Sequence, residues 1–410
     1  ILIGKFIRPC FNNTTVEIFG QHLPPAVGGL PVTVIGVREC GADNHHMITL
    51  DVLSSFHARH ANRSQLAQML QDARARTLAL ADAYAEALGE SLAVPKLGTL
   101  NPPLWELGHI AWFADHWLCP QAEHGFGSVM TYDALYDSSH VPHDIRWNLT
   151  LPNLTKTRTL LQASLSGILA KLRVEKSDTD EALYFYRLAL FHEDMHAEAA
   201  IYSAKSLGIR IPEALLRKPS KTKQPAKSSL FVSAGKWLLG SAHDGFAFDN
   251  ELSQHEVALS AFEIDSRVVT WAEYLPFVQA TGREMPQHVG EPHEAAVHIN
   301  WFDAKAWCNW AGRRLPSEVE WECAAMTFDS QSKTPFSWGE VWEWTANNFE
   351  PYPNFEAHAY KDYSEPWFSS RKVLRGGSVA TTERMVHPKY RNFFTPERAD
   401  IHAGFRSCAI

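Results

Sequence analysis

The strongest constraint on the fold is a change of hydrophobic rhythm part-way along the chain. Between Ser64 and Gly208, apolar residues recur at three- and four-residue spacing in four separate stretches. That spacing marks helices that each bury one stripe. The first stretch carries Leu66, Met69, Leu70, Ala73, Thr77, Leu80, Ala81, Tyr84 and Leu88 and stops at Gly89, a residue type that ends helices readily. The second opens at Asn101-Pro102-Pro103, with a capping residue and proline in the first turn, and runs to about Leu118. The third spans Leu154 to Leu172, and the fourth runs from Asp180 to Gly208. Four such helices joined by long connections predict an antiparallel four-helix bundle. Beyond Leu230 the rhythm is lost. Gly, Trp and turn residues multiply, and only 270–282 and 302–312 keep a helical pattern. That texture predicts a loop-rich α+β domain.

The expected organisation is therefore α+β and multidomain, in line with a length of 410 residues. It comprises an extension of unknown structure at 1–58, a helical bundle at 59–215, a linker at 216–229 and a second domain at 230–410. The linker reading rests on Arg217–Ser229, which is basic and rich in Pro and Ser. Within the extension, Pro31–Val37 has a strand-like pattern.

A chain of this size buries enough surface to fold without a metal or disulfide staple, so any metal site needs a functional reason. The net charge of −8 lacks the basic footprint of a nucleic-acid binder. No run of 18 apolar residues suggests a membrane span. The six cysteines form no CxxC pair, and the first residues lack the basic-then-apolar order of a signal peptide. The expectation is a cytoplasmic protein with reduced thiols. Asn-x-Ser/Thr triplets such as those at Asn62 and Asn153 then count as chance matches.

Among the 20 histidines, three stand out. His192 and His196 lie four apart on the fourth helix, on one face, where two imidazoles can hold one cation. His109 on the second helix can face inward toward them. Three neutral imidazoles make a facial set that suits Fe, Zn, Cu or Ni and leaves positions open for other ligands. His116, two turns along, is expected to be solvated. His192-Glu193-x-x-His196 is also the zinc-protease signature with Glu193 as general base. The extended form of that signature fails, because Ala199 stands where Gly is required. Glu213 is a distant carboxylate that could serve as the third ligand in that reading, but it stands beside Pro212 at the domain edge.

The segments PPLWELGHIAWF (102–113) and FHEDMHAEA (191–199) resemble the DinB-type bundle of the ergothioneine-synthase group. The C-terminal half resembles the formylglycine-generating-enzyme domain, a C-type-lectin-like fold. The pieces that carry this are AVHINWFDAKAWCNWAGRRLPSEVEWECAA (296–325), WGEVWEWTANNFEPYPNF (338–355), VLRGGSVAT (373–381) and YRNFFTPERADIHAGFRS (390–407). Within the group the chain looks closest to the selenoneine synthases, on YDSSHVPHDIRW (136–147), ALYFYRLALFHEDMHAEA (182–199) and RNFFTPERADIHAGFRSCA (391–409).

The resemblance implies iron(II) at His109, His192 and His196, O2 as co-substrate, and hercynine (trimethylated histidine) joined at its ring carbon to selenium from a selenosugar or to sulfur from a thiol. It implies a Tyr proton donor, which falls on Tyr360, with Tyr363 as a partner in the substrate shell. It places Asn392 and Phe393 at the hercynine trimethylammonium, which needs aromatic faces or carboxylates because it has no N–H. It places Arg398 at the donor. The family's glutamine beside the metal is Met195 here. The Asp that helps hold an amino-acid thiol falls on Phe394, and an apolar ring cannot pair an ammonium group. His143 and Arg146 are further candidates for donor contact. Trp342 and Trp344 are expected in the core. The rival readings are a sulfoxide synthase of ergothioneine biosynthesis, a formylglycine-generating copper oxidase, for which Cys408 lacks a partner cysteine, and a non-catalytic metal-storage module.

Overall fold

The computed structural model describes residues 16–22, 33–39, 55–120, 129–218, 226–328 and 332–410. Strands β1 (Val16–His22) and β2 (Thr33–Glu39) pair antiparallel, with Ile18 opposite Val37. They belong to a unit of their own, Ile1–Thr49. The strand-like pattern anticipated at 31–37 falls on β2, with Pro31 and Val32 outside the described residues.

Residues from Leu50 onward form one compact unit. It opens with a short helix, α1 (Ser55–Arg59). The extension expected at 1–58 therefore ends earlier. Ala58 is fully buried, and Arg59 donates to both carboxylate oxygens of Glu251 at 2.7 and 3.1 Å.

The four anticipated helices are α2 (Arg63–Leu88), α3 (Pro103–Leu118), α5 (Leu154–Val174) and α6 (Asp180–Ser206), with α4 (Val129–Tyr136) inserted after α3. Two of the Asn-x-Ser/Thr triplets turn out to be helix starts. Asn62 caps α2 by accepting from the Gln65 amide, and Asn153 caps α5 by accepting from the Lys156 amide, each satisfying an otherwise orphaned N–H. Thr179 does the same for α6. Asn101 does not cap α3; its side chain bonds Glu106 and Arg146 instead.

Helix α3 packs on α5 and α6, and α2 packs on the same two. Leu66, Met69, Leu70 and Ala73 bury against Phe113, Ile168 and Leu190 in one cluster, and Ala81, Tyr84, Ile110 and Leu161 share another. Helix α4 comes so close to α3 that a Cβ at Gly108 would lie 2.2 Å from the Tyr136 ring. Only glycine fits there.

The C-terminal part mixes short strands and helices. Antiparallel pairs join β3 (Ser229–Val232) to β6 (Phe262–Asp265) and β4 (Gly235–Leu239) to β5 (His255–Leu259). Helices α7 (Trp271–Thr281), α8 (Trp301–Trp310) and α9 (Glu318–Thr327) follow. A four-stranded sheet has the order β10-β7-β8-β9, built from β7 (Trp342–Asn348), β8 (Lys372–Gly376), β9 (Asn392–Phe394) and β10 (Ala403–Gly404). Trp342 and Trp344 are buried in it, as the sequence suggests.

Helix α6 is fastened to this part along one side. Arg384 grips Asp194 through two hydrogen bonds of 2.6 and 2.8 Å, and the Trp342 indole donates to Glu198 at 2.6 Å. The basic stretch read as a solvated linker begins docked. The Arg217 amide donates to the Val379 carbonyl at 2.7 Å, and its guanidinium reaches the Gly339 and Ser378 carbonyls. Residues 219–225 of that stretch lie outside the described residues.

Candidate metal centre

Helices α3 and α6 cross so that His109, His192 and His196 meet. One nitrogen from each lies within 4.8 Å of the others. Nε2 of His192 and Nε2 of His196 are 3.1 Å apart. Two ligands at a metal–nitrogen distance of about 2.1 Å and a right angle would sit about 3 Å apart, so the spacing fits a shared cation. Two of the three histidines have their other ring nitrogen occupied, as metal-bound histidines commonly do. Nδ1 of His109 donates to the Tyr136 carbonyl at 2.7 Å, and Nδ1 of His196 donates to the Glu106 carboxylate. Each leaves Nε2 as the nitrogen on the cluster side.

Electrostatics agree with this arrangement. Burial first, then the neighbouring His196, lowers His109 to about 3, and the same causes hold His192 well below its ordinary value. Both are therefore neutral imidazoles, the form that binds metals. Aromatic walls fix the rings. Trp105 stacks on His109 at 4.8 Å between centroids, and Phe113 stacks on His192 at 3.5 Å.

Glu193 does not serve the cluster. It is buried on another face of α6, where Arg74 donates to both its oxygens and Thr77 adds a bond of 2.7 Å. A carboxylate so occupied is not a general base, and Glu213 is exposed on a separate 3-10 turn. The protease reading has no structural support. His116 is half-buried against Trp112 and Trp117 rather than fully solvated.

Tyr360 is brought to the cluster. Its ring lies 4.9 Å from Phe113 and 6.1 Å from His192, and burial raises its hydroxyl so that it stays protonated at neutral pH. Tyr363 lies behind it, stacked on Phe248, with its hydroxyl 3.1 Å from that of Tyr390. Tyr390 in turn donates to the Met195 sulfur at 3.5 Å. This links Tyr363 to the residue between the paired histidines.

The β9 residues divide by strand alternation. Asn392 and Phe394 share one face, and Phe393 takes the other, stacked on Phe349 at 4.1 Å. Phe394 meets Tyr202, with the Arg398 guanidinium 5.0 Å over its ring. Arg398 is doubly bonded to Asp400 at 2.5 and 2.6 Å. His143 and Arg146 are turned to local structure. His143 bonds the Leu100 carbonyl, and Arg146 bonds Asn101 and the Val141 carbonyl while lying 3.8 Å over Trp105.

Three contributors escaped the sequence analysis. Glu106 sits one helical turn before His109, a spacing that could have suggested it. Tyr390 and the Tyr136 carbonyl carry no local signal.

Residues 216–340 and 337–409 match the Sulfatase-modifying factor enzyme 1-like domain, so the C-terminal half is a domain of that kind, joined to helices that carry a three-histidine cluster. The chain is similar to the hercynine oxygenase of Mycolicibacterium thermoresistibile, with 28% identity over 84% of this chain and 94% of the relative. The hercynine oxygenase of Mycobacterium tuberculosis is also 28% identical, over 83% of this chain and 98% of its own length. Those spans reach well beyond 216–409 and take in α3 and α6. The chain is also similar to the formylglycine-generating enzyme of Streptomyces coelicolor, at 23% identity over 47% of this chain and 91% of that protein. Among the described residues, the four cysteines are unpaired. No helix there is long and apolar enough to cross a membrane.

Proposed function

We propose that the chain is an iron(II)-dependent oxygenase that joins the imidazole ring carbon of hercynine to selenium of a selenosugar, as in selenoneine biosynthesis. The observation that carries the reading is the cluster of His109, His192 and His196 beside Tyr360, in a chain homologous over most of its length to hercynine oxygenases. Iron would supply the one-electron chemistry that ground-state O2 requires and side chains lack. In balance, one C–H and one Se–H bond give way to a C–Se bond. One oxygen of O2 leaves as water and the other stays on the chalcogen.

The protein's share is positioning and proton supply. His109, His192 and His196 would hold the cation. Phe113 and Trp105 keep the imidazoles oriented and dry. Tyr360, protonated and packed beside His192 with its hydroxyl bonded to Ser138, would be the proton donor, and Tyr363 would support it. Asn392 and Met195 would shape the hercynine pocket, with Phe393, on the other face of β9 against Phe349, acting through packing. Phe394 and Arg398 would shape the donor pocket, while His143 and Arg146 stay engaged with Leu100, Asn101 and Val141. The helices at 59–215 are read as a DinB-like bundle.

Selenium is favoured over an amino-acid thiol by Phe394, which offers an ammonium group no charge. The second reading is a sulfoxide synthase that joins hercynine to cysteine or γ-glutamylcysteine. It draws on the homologues and on Arg398, which keeps a cation at the donor position. A donor competition separates the two. The protein is loaded anaerobically with Fe(II), given hercynine with equal selenosugar and γ-glutamylcysteine, and exposed to air, and products are read by mass spectrometry. A hercynyl–selenium adduct is expected. A sulfur adduct alone would transfer the chain to the second reading, and no adduct would overturn both.

A further inference from the structure

One short turn in the C-terminal half gathers three segments that are far apart in sequence. Asp249, Asn250 and Glu251 form a single 3-10 turn, and all three are buried. Glu251 takes the Arg59 guanidinium at the entry to the helices. The Asn250 carbonyl accepts from Arg391 at 2.7 Å, one residue before β9 begins. Asp249 takes the segment that carries Tyr360 and Tyr363. The Ser364 hydroxyl donates to one Asp249 oxygen at 2.5 Å, and the His358 amide donates to the other at 3.5 Å. The Asn250 side-chain amide donates to the Ser364 oxygen at 3.1 Å, which leaves the hydroxyl proton for Asp249.

One carboxylate therefore meets both ends of the 358–364 segment, and Tyr360 stands between the two ties. A third tie comes from the helix that bears two of the histidines. The Tyr184 hydroxyl shares a hydrogen bond of 2.9 Å with Nδ1 of His358, and Tyr184 lies on α6 about two turns before His192. Packing alone does not ask for an acid at position 249. Among the described residues no Lys or Arg pairs with it, and burial pushes its carboxyl above the ordinary value. A buried acid without a cation costs stability. Asparagine would avoid that cost, but it accepts at only one of its two terminal atoms. The acid offers an acceptor to each end of the segment.

We propose that Asp249 is a positioning residue for Tyr360: by holding the Ser364 hydroxyl and the His358 amide, it keeps the Tyr360 ring against Phe113 and His192, beside the three-histidine cluster. Ser138 holds the hydroxyl end of Tyr360, and Asp249 holds the chain on either side of it. None of the side-chain hydrogen bonds of Asp249 reaches a histidine of the cluster, so its effect passes through the segment. The consequence for turnover rests on Tyr360 being the proton donor, as proposed above. The placement of the ring does not.

The test is fluorine NMR of the full chain labelled with meta-fluorotyrosine and loaded with Co(II) or with Zn(II), alongside turnover of hercynine. Co(II) displaces the signals of nearby nuclei and Zn(II) does not, and Tyr360→Phe identifies the signal of Tyr360. The variants are Asp249→Asn and Ser364→Ala. In each, the Tyr360 signal is expected to lose about half of its displacement, or to broaden as the ring samples more than one position. Co(II) affinity is expected to stay within about twofold and the KM for hercynine within about threefold, while kcat falls about 10- to 100-fold. A Tyr360 signal unchanged in both variants overturns the proposal. So does a wild-type kcat in variants whose signal has moved, or a Co(II) affinity that falls in step with kcat, because the change would then lie in the cluster. Wild-type protein without a Co(II)-displaced Tyr360 signal overturns it as well. If that signal is present and responds in the variants but the wild type does not turn over hercynine, the positioning stands and the proposed reaction fails. Should Asp249→Asn not fold, Ser364→Ala decides alone, because it removes the tie from the segment side.

Discussion

Nδ1 of His196 on α6 donates a hydrogen bond to the Glu106 carboxylate on α3. The bond ties together the two helices that supply the imidazole cluster, and it fixes which nitrogen of His196 is left for a cation. Burial pushes the Glu106 carboxyl up, but its interaction with the His196 imidazole and the hydrogen bond between them override this and hold it at about 2. Glu106→Gln keeps the shape and removes the charge. Affinity for Fe(II) or for a substitute divalent ion is expected to fall by about 10- to 100-fold, as for other outer partners of metal-bound histidine. Metal titration under anaerobic conditions measures it, and an unchanged affinity would remove Glu106 from the site.

Gly108→Ala places a methyl group where the Tyr136 ring lies 2.2 Å away. Helix α4 must then retreat and carry with it the carbonyl that orients His109. The expected loss is about 1–3 kcal/mol of stability, typical of overpacking, together with weaker metal binding. Urea unfolding and metal titration report the two effects separately.

Arg384→Met leaves Asp194 buried and uncompensated on α6. Breaking a buried pair from one side costs about 3–5 kcal/mol. The double variant Arg384→Met with Asp194→Leu is expected to recover most of that loss in thermal or chemical unfolding. No recovery would mean that the pair's bonds, rather than the stranded charge, carry the effect.

His298 and His402 make stability fall in acid. Their folded pKa values, about 3 and about 4, lie below the ordinary 6.5. The unfolded chain therefore takes up protons that the folded chain refuses. Their contribution is complete above about pH 6.5 and is lost as pH falls toward 4 and 3, at up to ~1.4 kcal/mol per pH unit for each group. Unfolding curves across that window are expected to be flatter for His402→Asn than for the wild type.

Tyr360→Phe tests the proton donor. Metal affinity is expected to stay within about twofold of wild type, because Tyr360 touches no ligand nitrogen, while turnover of hercynine falls by roughly 10²–10⁴. Equal turnover would dismiss Tyr360 from that role. The companion change Phe394→Asp restores a charge at the donor pocket and is expected to raise the share of sulfur adduct in the donor competition.

The sequence made the helices and the histidines readable for one reason. Both depend on spacing along a helix, and spacing survives without knowledge of the fold. Leu154 and Asp180 mark helix starts because Asn153 and Thr179 stand before them. His192 and His196 share a face by geometry alone. The rest depends on segments that meet only in three dimensions. The Tyr136 carbonyl reaches His109 through α4, which has little periodicity of its own. Tyr390 joins Tyr363 to Met195 across 195 positions of chain. The face of Phe393 is decided by the register of β8 and β9, which no short motif encodes.

Helix α6 shows its two histidines to the cluster and its acids, Asp194 and Glu198, to the C-terminal half. It acts as a shaft with a bearing on each side. A change in the C-terminal domain that turns or lifts it would move His192 and His196 together and so reach a bound cation as an altered bite angle. The spectrum of a metal bound there should therefore register events in the sheet more than a helical turn away. The two halves of this unit cannot be tuned independently, by selection or by design, while that shaft is shared.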